Sequence, residues 1–219
     1  MPWKQLMMTK PDTLKINVDE SLTAAVQVAA KLYFNGGVFA YPTDTIYGFG
    51  ANPFNDDALE KISIVKRRKI DKKYILLASD MEMVLKHVSL VEESHADLLL
   101  ALWPNPISVV FNLNQYYREL TGEDTMGFRV PNHAFCRKLV TELNMPLVST
   151  SVNRSDKQPL NDYSLISQEF NGEIDAIFYT SRPPLNVAST IIDLTSNEPV
   201  LIREGMITFP EIVKKFKYL

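Results

Sequence analysis

Val38-Phe39-Ala40-Tyr41-Pro42-Thr43-Asp44-Thr45-Ile46-Tyr47-Gly48-Phe49-Gly50 (38–50) is the stretch on which the fold turns. It starts as a short apolar strand, Val38 to Tyr41, and passes into a loop of hydroxyls and glycines. Immediately upstream, Leu22, Ala25, Val26, Ala29, Leu32 and Tyr33 recur at helical spacing, which predicts a helix over 21–35. Asp19 or Ser21 would cap it, and Asn35-Gly36-Gly37 would stop it. Downstream, the turn-rich stretch from Pro42 to Asn55 leads into a second helix, Asp56 to Val65, with Leu59, Ile62 and Val65 on one face.

The same reading carries to the end of the chain. Apolar runs predict strands at Tyr74–Ala78, Ile107–Phe111, Met126–Val130, Leu147–Ser149, Ala176–Tyr179, Ser189–Asp193 and Val200–Arg203. Helical patterns fall at Met81–His87, Ser94–Leu102, Ala134–Leu143, Asp162–Phe170 and Pro210–Phe216. Asn114–Arg118 is the most polar and least periodic stretch. Helices and strands alternate early and strands cluster late, so the expected fold class is α/β, a mixed sheet with helices packed on it. No repeat, low-complexity tract or linker divides the chain, so 1–219 is expected to be one domain.

Composition removes whole classes of function. Of the 219 residues, 46% are hydrophobic and 22% charged, which sets disorder of the whole chain aside. The net charge of -3 argues against broad electrostatic grip on nucleic acid. One cysteine, Cys136, allows no internal disulfide and fits a reducing compartment. Met1–Lys10 lacks the apolar segment of a secretory signal, and no window approaches a membrane span, so a cytoplasmic location is expected. His87, His95 and His133 lie far apart with no metal spacing, so no protein metal site is expected. Neither a Walker-type phosphate loop nor a G-x-G-x-x-G is present.

Four segments carry groups suited to chemistry, and each has a plainer reading beside it. The loop after Tyr41 is either a tight turn with Asx-type bonds or a ligand site at a strand end. Lys66-Arg67-Arg68-Lys69-Ile70-Asp71-Lys72-Lys73 packs six cations into eight residues. It is either a solvated loop compensating a helix dipole or an anion site, phosphate being the natural ligand. Arg129, in an apolar strand, either faces solvent by strand alternation, which the pattern slightly favours, or meets a carboxylate. Val148–Ser155 runs a strand into hydroxyls and an amide, a ligand loop or a capping turn. Cys136 reads as core packing, and Trp103-Pro104-Asn105-Pro106 as a rigid turn.

Taken in order, these segments resemble the YrdC/Sua5/TsaC family of threonylcarbamoyl-AMP synthases. The resemblance rests on Tyr-Pro-Thr-Asp-Thr-Ile-Tyr-Gly (41–48), the Lys-x-Arg at Lys66 and Arg68, Trp-Pro-Asn-Pro (103–106) and Arg-Val-Pro (129–131). It continues through the Ser-x-Asn at Ser151 and Asn153, Ser-Thr-Ile-Ile-Asp (189–193) and Leu-Ile-Arg-Glu-Gly (201–205). It covers roughly 20–207, and on this resemblance the short TsaC type, rather than the longer Sua5 type with its extra C-terminal domain, is expected. The sequence departs from the family's usual residues at Lys69, Lys73, Leu77, Asn105 and Asp156.

The resemblance implies a YrdC-like domain, a twisted parallel and antiparallel sheet with a concave cationic pocket. It implies that Lys66 and Arg68 serve catalysis at the phosphates. Threonine would be held by Thr45, Arg129, Ser151 and Ser189. ATP would be contacted by Arg68, Lys72, Thr125, Asn153, Asn161 and Arg203. The implied reaction joins L-threonine, bicarbonate or CO2, and ATP into threonylcarbamoyl-AMP and pyrophosphate. Mg²⁺ would ride mainly on ATP and water. The product would pass to the machinery that makes t6A at position 37 of tRNA, with room for weak contact with RNA. Two rival readings remain: an RNA-binding module gripping phosphodiesters through the basic loop, and an inactive regulatory relative of the same fold.

Overall fold

The computed structural model describes residues 12–68 and 74–217. In chain order the elements are β1 (Leu14–Asn17), α1 (Leu22–Phe34), β2 (Phe39–Tyr41), β3 (Gly48–Gly50) and α2 (Asp56–Lys66). Next come β4 (Ile75–Leu77), α3 (Met81–Leu85), β5 (Val88–Ser89), α4 (Ser94–Leu102), β6 (Ile107–Leu113) and α5 (Gln115–Thr121). The chain continues through β7 (Thr125–Arg129), α6 (Ala134–Leu143), β8 (Leu147–Ser151), α7 (Tyr163–Phe170) and β9 (Ala176–Tyr179). It closes with β10 (Thr190–Asp193), β11 (Val200–Arg203) and α8 (Phe209–Lys217).

One mixed sheet runs β1-β9-β2-β3-β8-β4-β7-β6-β10-β11, with β5 joined to β6. β9 is parallel to both β1 and β2, whereas β3 lies antiparallel between β2 and β8. β4 runs parallel to β7, and β6 parallel to β10. β8 joins the two halves. Leu147–Ser149 pair with β4, while Thr150 and Ser151 pair with β3, so the neighbouring strands part along its length.

The core explains why these segments fold as they do. α1 begins where Ser21 Oγ accepts the Ala24 amide, and it buries Ala25, Val26, Ala29 and Tyr33. Asp19, the other candidate cap, instead accepts from Thr180 and Ser181 across the sheet. Tyr33, Phe39, Tyr41, Phe49, Phe135 and Phe178 are all buried. The buried hydroxyls find carbonyls, Tyr33 on Pro146 at 2.9 Å and Tyr41 on Val148 at 3.2 Å. Gly50 is glycine because a Cβ there would come within 2.7 Å of Phe39 and 2.8 Å of Tyr41. Among helices, α1 packs on α6 and α4 on α8, and α7 lies against β9. Cys136 and Trp103 are core residues, the Trp103 indole donating to Ile107 O at 2.8 Å.

The structure adds four elements that patterning misses. The turn-rich stretch contains β3. The least periodic stretch is α5, started by Asn114 Oδ1 accepting from Tyr117 and ended by Gly122 in the left-handed region. β1 and the two-residue β5 were unmarked. No described helix is long and apolar enough to cross a membrane.

Candidate active site

Where β3 and β4 separate on either side of β8, the sheet opens into a cavity of about 230 Å³. Its polar lining includes Thr45, Ser108, Arg129, Ser151, Ser189 and Arg203. A second cavity of about 200 Å³ is lined by Lys66, Arg68, Asn153, Ser155 and Asp156. The two share Thr150 and Ser151. Eight of the sequence-predicted site residues therefore converge: Thr45, Arg129, Ser151, Ser189 and Arg203 in the first, and Lys66, Arg68 and Asn153 in the second, with Ser151 common to both.

The first cavity is organised by the loop after β2. Thr43 Oγ1 accepts from the Thr45 amide at 3.1 Å and donates to Ile46 O at 2.7 Å, with Thr45 Oγ1 2.9 Å away. The tight-turn reading of this loop holds, and the turn also sets Thr45 into the lining of the cavity. Arg129 closes β7 and is buried, which overturns the solvent-facing reading that alternation favoured. Its guanidinium forms an ion pair with Asp44 and donates to Thr45 Oγ1 at 3.1 Å. Asp44's other oxygen accepts the Asn132 amide at 3.1 Å. The compensating carboxylate is what lets an arginine sit in an apolar strand. Arg129 Nε is buried with no hydrogen-bond partner among the described residues.

On the far wall, Arg203 donates to Ser189 O at 2.8 Å and to Ser189 Oγ at 3.3 Å. Burial, with Arg129 nearby, lowers its pKa. Ser108 Oγ and Ser189 Oγ are 3.0 Å apart, which fixes the hydroxyl. Gly205 lies against this segment. A Cβ there would fall within 2.6 Å of Ser189 O and closer still to Ala188 O.

The second cavity is built from the end of α2. Lys66, 3% exposed, extends its ammonium to Ser151 O, to Asn153 O at 3.2 Å and to Asn153 Oδ1 at 2.8 Å. It also lies 5.5 Å from the Phe49 ring centroid. Burial, and then the Arg68 guanidinium, depress the ammonium from its ordinary value to about 7. Arg67 ends the helix in the left-handed region at φ 51°, turning the chain so that Arg68 reaches the Tyr74 ring, 4.7 Å away. Asn153 Oδ1 also accepts from Ser151 Oγ at 2.7 Å. Asp156 adopts φ 62°, a conformation that Asp tolerates better than most residues.

Two expected ligand contacts, Thr125 and Asn161, line neither cavity, and a third falls where the structure gives no description. Lys72 lies outside the described residues. Thr125 begins β7, at the opposite end of that strand from Arg129, and lines neither cavity. Asn161 also lines neither; it accepts the Tyr47 amide at 3.1 Å and donates to Pro184 O at 2.8 Å, pinning two loops together. Sequence reasoning gave no role to Asp44, Ser108 or Arg154. Asp44 sits within the quoted motif, but its partner is 85 positions away, a pairing that only the fold reveals.

The family model Sua5/YciO/YrdC, described as "Telomere recombination", matches residues 31–205. A doubly substituted Sua5 from P. abyssi superposes with a TM-score of 0.84 at 31% identity, over 92% of this chain and 63% of its own. P. abyssi Sua5 complexed with L-threonine gives 0.83 at 29% identity, over 93% and 60% respectively. The chain therefore spans about three fifths of these Sua5 proteins' length. E. coli YciO shares the fold over 93% of this chain and 98% of its own, with a TM-score of 0.80 at 24% identity. With the family model covering most of the chain, and with the residues around β8 arranged as described, this protein belongs to the Sua5/YciO/YrdC family.

Proposed function

We propose that the protein is an L-threonylcarbamoyladenylate synthase: it condenses L-threonine, bicarbonate or CO2, and ATP into threonylcarbamoyl-AMP and pyrophosphate. The observation that carries this reading is the pair of adjoining cavities. One is rich in hydroxyls with two guanidiniums, the other holds an ammonium and a guanidinium, and Ser151 borders both. The L-threonine bound to P. abyssi Sua5 supports the choice of amino acid.

In this reading threonine occupies the first cavity, with Thr45, Ser151 and Ser189 on its polar groups and Arg129 on its carboxylate. The triphosphate spans Arg203, Lys66 and Arg68, with Asn153 orienting it. The threonine nitrogen bonds to the carbon of CO2 and loses a proton, giving a carbamate. A carbamate oxygen then bonds to the α-phosphorus of ATP, and the bond from that phosphorus to the β-bridging oxygen breaks, releasing pyrophosphate. Every reacting group belongs to a substrate, so the protein's work is alignment of mutually repelling anions and stabilisation of developing charge. Mg²⁺ fits as an ion carried on the phosphates, since the described lining of the second cavity supplies one carboxylate, Asp156; it would offset phosphate charge. The adenylate would serve t6A synthesis on tRNA.

The test is mass spectrometry of the purified protein incubated with ATP, Mg²⁺, L-threonine and bicarbonate. Threonylcarbamoyl-AMP formed in step with pyrophosphate is the expected outcome. Binding of both ligands without product would support an inactive relative of the family.

A further inference from the structure

Arg154 lies next to Asn153 and outside both cavities, yet all five of its N–H donors are engaged. Its Nε donates to Glu169 at 2.6 Å. One terminal nitrogen donates to Val65 O at 2.5 Å and to Glu173 at 2.8 Å. The other donates to Glu169 O and Glu173, both at 3.0 Å. Its side chain is 11% exposed, and the guanidinium lies 4.4 Å over the Phe170 ring. Phe170 in turn meets Phe49 edge-on at 5.1 Å, and Phe49 carries Lys66 on its ring.

Val65 O belongs to the last turn of α2, one residue before Lys66. The same junction is bonded twice more, by the Ser155 amide to Lys66 O at 2.6 Å and by the Lys66 ammonium to Asn153. Arg154 therefore ties the helix that delivers Lys66, the loop that delivers Ser151 and Asn153, and α7 into one block.

We propose that Arg154 is a positioning residue: it latches the end of α2 to the 151–156 loop and so preforms the phosphate side of the site. The proposal rests on the reading of the second cavity as the triphosphate subsite. A guanidinium is needed because a lysine ammonium cannot reach acceptors on three segments at once. Without the fork, Lys66 and Asn153 lose their common register, while the first cavity, held by Asp44, Arg129 and Ser108, keeps its shape.

The experiment compares wild type with Arg154→Lys and Glu173→Gln, measuring calorimetric affinity for inorganic pyrophosphate with Mg²⁺, affinity for L-threonine, and thermal stability. In both variants pyrophosphate binding should weaken about tenfold or more, with threonine, which shares only Ser151 with the latched loop, weakened by about threefold at most. Equal loss of both ligands in proportion to lost stability would overturn the latch, as would unchanged pyrophosphate binding in folded variants or no pyrophosphate binding by wild type. Selective loss of pyrophosphate in a protein that makes no threonylcarbamoyl-AMP would uphold the latch and refute the proposed reaction alone.

Discussion

Arg129 and Lys66 are both buried cations at one site, and they are held in opposite ways. Arg129 is met by a carboxylate that is itself 10% exposed, so the pair is neutral. Lys66 is met by three neutral oxygens, which satisfy its hydrogens and leave its charge uncompensated. A compensated guanidinium is a fixed directional donor. An uncompensated ammonium beside Arg68 is a demand for an anion, and its depressed pKa expresses the same shortage. The Arg129 charge is thus balanced within the protein, whereas the Lys66 charge is not, and in the proposed function phosphate supplies the balance.

Breaking the neutral pair should produce the largest effect. Arg129→Ala leaves Asp44 buried without its partner and should cost roughly 3–5 kcal/mol in urea unfolding. Adding Asp44→Ala should restore part of that stability without restoring threonine binding by calorimetry. Lys66→Ala removes a charge the fold does not compensate, so the loss should fall on function. Threonine-dependent pyrophosphate release should drop by about a hundredfold or more, with stability changed less than in Arg129→Ala.

The pH dependence sharpens the contrast. The unfolded chain keeps the lysine proton up to its ordinary value near 10.5, whereas folded Lys66 releases it at about 7. Between those values the unfolded state binds more protons, so stability from this group rises with pH; below 7 the full cost of burying the charge applies. Wild type should therefore gain on Lys66→Met by about 2 kcal/mol between pH 7 and 9. A flat difference across that range would mean that the ammonium is not desolvated. Gly205→Ala, which presses a methyl onto Ser189, should weaken threonine several-fold and, through Arg203 anchored on Ser189, weaken pyrophosphate less. Thr125→Ala, away from both cavities, should alter either affinity by less than about twofold.

The parts legible in the sequence are those set by local pattern. Val38–Tyr41 and Ile107–Phe111 announce themselves as apolar runs, and α1 by its spacing and its Ser21 cap. β3 does not, because Gly48-Phe49-Gly50 has poor strand propensity and is extended only because β2 and β8 flank it. α5 stays hidden because none of its residues is buried, so it leaves no apolar stripe to read. At the site, the charged and hydroxyl residues were legible from their motifs, while their partners were not. Asp44 on Arg129 and Glu173 on Arg154 are tertiary pairings, and strand alternation pointed the wrong way for Arg129 because a buried ion pair outweighs it.

The central claim, two cavities meeting at Ser151 and filled by two substrates, is tested most directly by a crystal structure with L-threonine and a non-hydrolysable ATP analogue. The account expects the threonine carboxylate on Arg129, the phosphates between Arg203, Lys66 and Arg68, and the threonine nitrogen facing the α-phosphate across Ser151. A nucleotide bound away from Lys66 and Arg68, or a threonine outside the Arg129 cavity, would contradict it.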